Sequence, residues 1–397
     1  MMPEMRILVC ASEAPLPPRN GLRLQLAELT GALARRHEVT VLAFRWPGQE
    51  GAPPAGVELI PIAPTPDGWR RRAGWVRAAL RREPLETTRL TAPMSAAVAQ
   101  VIANRGFDVA HVSPGLLAGI APALDGLPAI IAPLDAWPLN VQAQVAAARG
   151  PRRAALAAHL RLVSRYVAQA YRPYGRVVLV SEEDAEAARR ADPDIATAVV
   201  PNGVDSERFN PGAESREPGL VVFSGALGAP SNVLAAERLA RRVVPQVRTE
   251  RPDVRLALVG RAPTPEVRVL GRLPGVDVVG EVPDLRPWLR RAQVYACPIE
   301  TGTGIKNKLL EAMACGAPAV ATALACRGLS VRAESELLLA DDDSTFADGV
   351  LRLLADAGLR SRLASAARAY VAQHHDWTAV AERFEALYTA VGADDAG

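Results

Sequence analysis

Residues Val294–Thr322 read VYACPIETGTGIKNKLLEAMACGAPAVAT, and their reading decides the fold class. A short apolar run, Val294–Pro298, leads through a glycine-rich loop into a helical pattern and then into a second apolar run, Pro318–Thr322. Two apolar runs joined through one helix form a strand–helix–strand unit, and a crossover of that length makes the strands parallel. Gly302 and Gly304 permit tight turning and close approach of backbone to a ligand. The helix is expected to begin near Ile305, so that N–H groups without intrahelical partners face the loop. Such a helix end favours phosphate through both hydrogen bonds and dipole. Lys306 and Lys308 add positive charge. Glu311 shares one helix face with Asn307 and Lys308, while Leu309, Leu310 and Met313 can face the core. Phosphate on the glycines and lysines, with sugar hydroxyls on Glu311, is the arrangement of a nucleoside-diphosphate site. The bland alternative is a turn followed by a solvated helix face.

The same rhythm runs outward in both directions. Arg6–Ala11, Glu38–Phe44, Gly56–Pro61, Asp108–Val112, Ala129–Ala132 and Val177–Ser181 read as strands, with a helix from about Leu22 to Arg35. After Pro201 the alternation restarts with Gly219–Ser224, Val254–Gly260, Val276–Gly280, Val294–Pro298 and Pro318–Thr322, and helices follow to the end. Strands alternating with helices imply α/β architecture with parallel sheets covered on both faces. Between the halves, Pro211–Gly219 is polar and turn-rich and reads as a linker. The expected division is residues 1–200, a hinge at 201–218, a second domain at 219–375, and a terminal helix at 376–397 that crosses back to the first domain. Two doubly wound domains facing each other leave a cleft at the carboxyl ends of their strands, where such sheets bind ligands.

Composition narrows the function. A chain of 397 residues, 49% of them apolar, can build two cores. The net charge of +3 lacks the basic excess of bulk nucleic-acid binding. Cys10, Cys297, Cys315 and Cys326 form no CxxC pair and have no histidines at ligand spacing, so disulfide and zinc frameworks are not expected and a reducing cytoplasm fits. MMPEMRILVCA lacks a signal-peptide layout, and no apolar run is long enough for a membrane span. No GxGxxG follows the first strand, which counts against a nicotinamide or flavin enzyme.

The motifs resemble those of retaining nucleotide-sugar glycosyltransferases of the GT-B fold, in the large bacterial mannosyl- and glucosyltransferase group. VVPNGVDSERFNP (Val199–Pro211) is similar to that group's inter-domain signature. GLVVFSGALGAPSN, LALVGRAP, VDVVGEVPDLRPWLRRAQVYACP, ADDDSTFADGVLRLLAD and HDWTAVAERFEALY resemble its second domain and last helices. The likeness is dense over about Pro201–Tyr388. It is thinner earlier, where PPRNGLRLQLAELTGALARRHEVTVLAF carries it. The run Gly304–Gly316 and the turn Pro230-Ser231-Asn232 look most like sugar transferases of exopolysaccharide and PEP-CTERM systems. The resemblance implies two doubly wound Rossmann-like domains facing across a cleft, the first binding a saccharide or lipid-linked acceptor and the second a nucleoside diphosphate sugar.

Carried over position by position, Glu311 matches the glutamate that binds the donor ribose. The glutamate that the wider family places eight residues earlier is Thr303 here. The usual Arg and Lys after the first strand of the second domain are replaced by Ala226-Leu227 and the Pro230-Ser231-Asn232 turn, so Lys306 and Lys308 are the available phosphate-binding charges. Gly302, Gly304, Ile305 and Asn307 complete the donor loop. Val282 borders the base, with Arg261 approaching it, and Gly21 offers backbone to the transferred sugar or diphosphate. His111 and Asp135, each following an apolar run, are candidate catalytic groups alongside Lys308; the competing readings are a structural histidine and a capping aspartate. Asp341-Asp342-Asp343 reads as a helix cap rather than a metal clamp, so neither metal nor cofactor is expected, with the helix end and lysines acting in place of a cation. His374-His375 reads as surface. Trp69–Glu83 places Trp69, Ala73, Val76 and Leu80 on one face and arginines elsewhere; it is either an ordinary amphipathic core helix or a peripheral contact with the inner face of a membrane. The rival functions are a weakly catalytic partner subunit of a polysaccharide complex and a nucleotide-sugar epimerase.

Overall fold

The computed structural model describes residues 4–18, 21–46, 48–63, 83–302 and 304–394. Its chain divides into two compact units, Met1–Pro201 with Val380–Gly397, and Asn202–Ala379. Trp69–Glu83, apart from Glu83, lies outside the described residues, as do Arg19, Asn20 and Thr303.

The first unit is built on β1 (Arg6–Ala11), β2 (Glu38–Phe44), β3 (Val57–Ile62), β4 (Val109–Ser113), β5 (Ala129–Leu134), β6 (Arg176–Leu179) and β7 (Thr197–Val199). All pairs are parallel, in the order β3-β2-β1-β4-β5-β6-β7. The chain order reverses between β1 and β4, which makes their carboxyl ends the switch point of this sheet. Helices α1 (Gly21–Leu33), α2 (Thr91–Asn104), α3 (Trp137–Ala147), α4 (Gly150–Ala170) and α5 (Glu182–Ala191) accompany the strands. Leu8, Cys10, Leu42, Phe44, Ala110, Val112 and Ile131 are buried in one core, as expected for strands covered on both faces.

The second unit carries β8 (Leu220–Ser224), β9 (Arg255–Val259), β10 (Val276–Gly280), β11 (Val294–Cys297), β12 (Ala319–Ala321) and β13 (Leu338–Leu339). They run parallel in the order β10-β9-β8-β11-β12-β13, with the switch point between β8 and β11. Its helices are α6 (Pro230–Arg238), continued through a wide turn at Leu239–Val243 into α7 (Val244–Glu250), then α8 (Pro265–Leu270), α9 (Arg286–Arg291), α10 (Asn307–Ala314), α11 (Asp343–Ala355) and α12 (Ala357–His374). The last helix, α13 (Trp377–Asp394), begins in this unit, and its residues from Val380 onward belong to the first.

Several expectations need correction. β7 and β13 were not legible, being too short to show a pattern. The helix expected from Ile305 starts at Asn307. The polar stretch read as a linker is fastened to the second unit. Arg290 binds Asn210 O at 2.7 Å and Glu214 at 3.1 Å, Arg216 donates to Ala292 O at 2.7 Å, and Glu217 pairs with Arg255 and Arg291. Its charges are ion-pair partners rather than a sign of solvation. His375, read as surface, is 2% exposed; its Nδ1 lies 2.9 Å from Asn202 O and its Nε2 3.0 Å from Tyr370 Oη.

Candidate functional site

In the second unit the site forms where β8 and β11 diverge. Gly225 follows β8 with φ 147°, and a Cβ there would lie 2.9 Å from both Lys308 Nζ and Asn232 Nδ2. Gly260 follows β9 with φ 150°, and a Cβ there would stand 1.7 Å from Gly225 O. These two positions require glycine, and their closeness brings the turns after neighbouring strands together at the crevice.

From the other side of the switch point comes the loop after β11. Gly302 and Gly304 take φ 104° and 71° and turn it into α10. Lys308, in the first turn of α10, reaches back toward β8. Its Nζ donates to Asn232 Oδ1 and lies 5.0 Å from the centre of the Phe223 ring. Asn232 is held in turn by its Nδ2, which donates to Ala226 O at 2.9 Å. Asn232 is therefore a site residue that sequence reasoning passed over. The Pro230-Ser231-Asn232 turn lacks the expected charges, and its amide is what orients the lysine. An Asn in the first turn of a helix that opens on Pro was the available signal.

Burial pushes the Lys308 ammonium below its ordinary value; Cys297 opposes this, Lys306 adds to it, and Glu311 opposes it. Glu311 is half-buried, and burial pushes its carboxyl up to about 7 against the pull of Lys308 and Arg208. Among the described residues no hydrogen bond reaches that carboxylate. A carboxylate held above its ordinary pKa, with no in-chain hydrogen bond among the described residues and beside an oriented cation, is what a polar ligand would complete. Lys306 behaves differently from expectation: its Nζ folds back onto Gly304 O at 2.7 Å and Gly302 O at 3.4 Å, so it ties the loop. Asn307 Oδ1 accepts from Asn202 Nδ2 at 3.4 Å, and Ile305 is buried. Arg261 and Val282 lie just past the carboxyl ends of β9 and β10, on the same edge of this sheet. Arg261 is exposed, and its carbonyl accepts from Leu227 N at 2.9 Å.

The acidic triplet acts locally. Asp342 caps α11 by accepting from Ser344 N and Thr345 N, Asp341 accepts from Ala323 N at 2.9 Å, and Asp343 pairs with Arg238 at 2.6 Å. No group of His, Cys, Asp and Glu with metal-holding geometry occurs among the described residues.

In the first unit Gly21 opens α1, with open space where a Cβ would stand, so side-chain bulk does not demand glycine there. Asp135 directly follows β5 and is half-buried. The catalytic expectation for His111 is corrected. It lies inside β4, 2% exposed, with Nδ1 2.8 Å from Tyr388 Oη and its ring 5.2 Å from that of Phe384. Burial holds its pKa near 4, so it is a neutral, satisfied core histidine that fastens α13 to the sheet.

Comparison with known proteins agrees with this architecture. Residues 218–356 match the family described as "Glycosyl transferases group 1", and residues 19–208 match "Glycosyltransferase Family 4". A phosphatidyl-myo-inositol mannosyltransferase of Mycobacterium tuberculosis is 31% identical over 211 residues, 50% of this chain and 55% of that protein. A D-inositol 3-phosphate glycosyltransferase of Frankia alni is 35% identical over 204 residues, 45% of this chain and 49% of that protein. The chain thus spans about half the length of the curated relatives it matches. Among solved structures, a sucrose-phosphate synthase from Thermosynechococcus elongatus superposes with TM-score 0.70 at 20% identity, covering 98% of this chain and 100% of that one. Anabaena HepE, solved in complex with UDP and glucose, superposes with TM-score 0.64 at 16% identity, covering 97% and 100%. Two parallel-sheet α/β units with these neighbours constitute the GT-B fold.

Proposed function

We propose that this chain, whose residues 218–356 match the group 1 glycosyltransferases, is a member of that family and moves a sugar from a nucleoside diphosphate sugar to an acceptor hydroxyl with retention of anomeric configuration. One observation carries the reading: Lys308 is held by Asn232 and Phe223 at the switch point, one turn before a half-buried carboxylate without an in-chain hydrogen bond among the described residues. The donor diphosphate would meet Lys308 and the open N–H groups of α10. Glu311, three residues further along, would accept two ribose hydroxyls. As the glycosidic bond breaks, negative charge grows on the leaving diphosphate. A cation already oriented by its neighbours stabilises that charge with little reorganisation. This division of labour calls for no metal ion. Val282 and Arg261 flank the base.

The acceptor would be a saccharide or lipid-linked hydroxyl bound by the first unit, in the assembly of a cell-surface polysaccharide or glycoconjugate. The mannosyltransferases among the relatives favour a hexosyl donor. A thermal-shift screen with uridine, guanosine and adenosine diphosphates, followed by transfer assays on a panel of sugar nucleotides, tests the proposal. Stabilisation by one base, lost in Glu311→Ala, is expected. Absence of any nucleotide effect would overturn it, and binding without transfer would point to a partner subunit instead.

A further inference from the structure

At the far end of α10 from Lys308, a recess of about 410 Å³ opens between the helix terminus and α12. Its walls include Gly316, Arg216, Arg360, Arg368, Ser361 and Ser365, three cations and two hydroxyls with no acidic side chain. Among the described residues none of the three arginines has a carboxylate within ion-pair distance. The nearby acids are engaged elsewhere: Glu214 with Arg290, Glu217 with Arg255 and Arg291, and Asp356 as the cap of α12. Burial pushes the Arg216 guanidinium down, and the neighbouring Arg360 charge pushes the same way.

Part of this chemistry is structural. Arg216 donates to Ala292 O at 2.7 Å and to Gly316 O, Arg360 Nη1 to Leu353 O at 2.5 Å and Leu354 O at 3.0 Å, and Arg368 Nη1 to Ala314 O at 3.5 Å. The arginines thus cover the carboxyl ends of α9, α10 and α11, where cations are favoured. Capping does not account for the charge. Three helix ends supply roughly one and a half units of negative partial charge between them, against three full positive charges. Nor does it exhaust the donors, since Nε and Nη2 of Arg360 and Arg368 make no hydrogen bond within the described residues. A surplus of roughly one and a half positive charges, with planar forked donors and hydroxyls around a recess, matches a phosphate dianion.

We propose that this recess binds a phosphate dianion, as inorganic phosphate or as the monoester headgroup of a metabolite or lipid, at a site separate from the donor crevice. The test is isothermal titration of the full chain with inorganic phosphate, with ionic strength balanced by chloride. The Lys308→Met variant is titrated in parallel so that phosphate entering the donor crevice is discounted. Saturable binding that persists in Lys308→Met and falls by about tenfold or more in Arg368→Gln and in Ser365→Glu is expected. Ser365→Glu adds a carboxylate at an exposed position and leaves the capping arginines in place, and an unchanged melting temperature shows that it folds. Sedimentation with vesicles containing phosphatidic acid, against phosphatidylcholine alone, separates the sources. Binding to vesicles lost in Ser365→Glu assigns the lipid headgroup, and binding of soluble phosphate alone assigns the free ion. No saturable phosphate or vesicle binding, or binding equal in wild type and Ser365→Glu, overturns the proposal.

Discussion

Replacing Glu311 with Gln is expected to stabilise this protein at neutral pH while weakening its hold on nucleotide. Burial raises the Glu311 carboxyl from its ordinary 4.5 to about 7, with Lys308 and Arg208 recovering only part of the cost. Each pH unit of such a gap corresponds to about 1.36 kcal/mol, which sets an upper limit of about 3 kcal/mol on the penalty for ionised Glu311 in the folded state. Because the side chain is only half-buried, solvent screening reduces this to about 1–2 kcal/mol. Between pH 4.5 and 7 the folded protein binds more protons at this position than the unfolded chain. Stability therefore falls as pH rises through that window, and the penalty is complete above pH 7. Glu311→Gln removes it, so the variant should match wild type near pH 4.5 and exceed it by about 1–2 kcal/mol at pH 8. Urea unfolding of both proteins across pH 5–8 reads the difference directly. A gap independent of pH, or a Gln variant less stable at pH 8, would refute the reasoning. The same titration predicts that wild-type affinity for nucleoside diphosphate declines below pH 7, as the ribose acceptor becomes protonated, and that the variant lacks this decline.

Three further outcomes follow from the geometry. Lys308→Met should lower nucleoside diphosphate affinity by about 10- to 100-fold, the value of one charge-assisted contact; unchanged affinity in calorimetry would remove the lysine from the diphosphate. Gly225→Ala should cost about 1–3 kcal/mol in chemical denaturation and also weaken nucleotide binding, because φ 147° and the 2.9 Å approach of Lys308 Nζ both reject a Cβ. His111→Phe leaves Tyr388 Oη buried without its partner and should cost about 1–3 kcal/mol, with kcat unaltered. Wild-type His111 stays neutral in the fold down to about pH 4, whereas an unfolded histidine protonates below 6.5. Wild type should therefore lose stability as pH falls from 6.5 to 4, and the Phe variant should lose less. A large kcat loss in that variant would restore a catalytic role.

The alternation of apolar runs and helices was legible because buried parallel strands must be apolar throughout, whatever they neighbour. Strands of two or three residues, Leu338–Leu339 and Thr197–Val199, left no such trace, because so short a run shows no apolar pattern of its own, although each pairs with the strand just before it. Gly302, Gly304, Lys308 and Glu311 could be gathered from spacing alone, since one loop and one helix carry them all. Lys306 reads from its charge as a phosphate contact, but its ammonium donates to the carbonyls of its own loop.

Sequence by itself determined the two-unit α/β plan, the glycine-rich turn into α10 and the carboxylate one turn beyond it, because each depends on residues within a few positions of one another. The tertiary structure alone decided which groups meet. It brought Asn232 to Lys308 across 76 positions and Gly225 against Gly260, and it buried His111 beneath Tyr388 from the other end of the chain. Strand order sets those contacts, and strand order arises from long-range pairing that no local pattern encodes. The charge of a side chain is written in the sequence; what that charge faces is settled only once the sheet has closed around it.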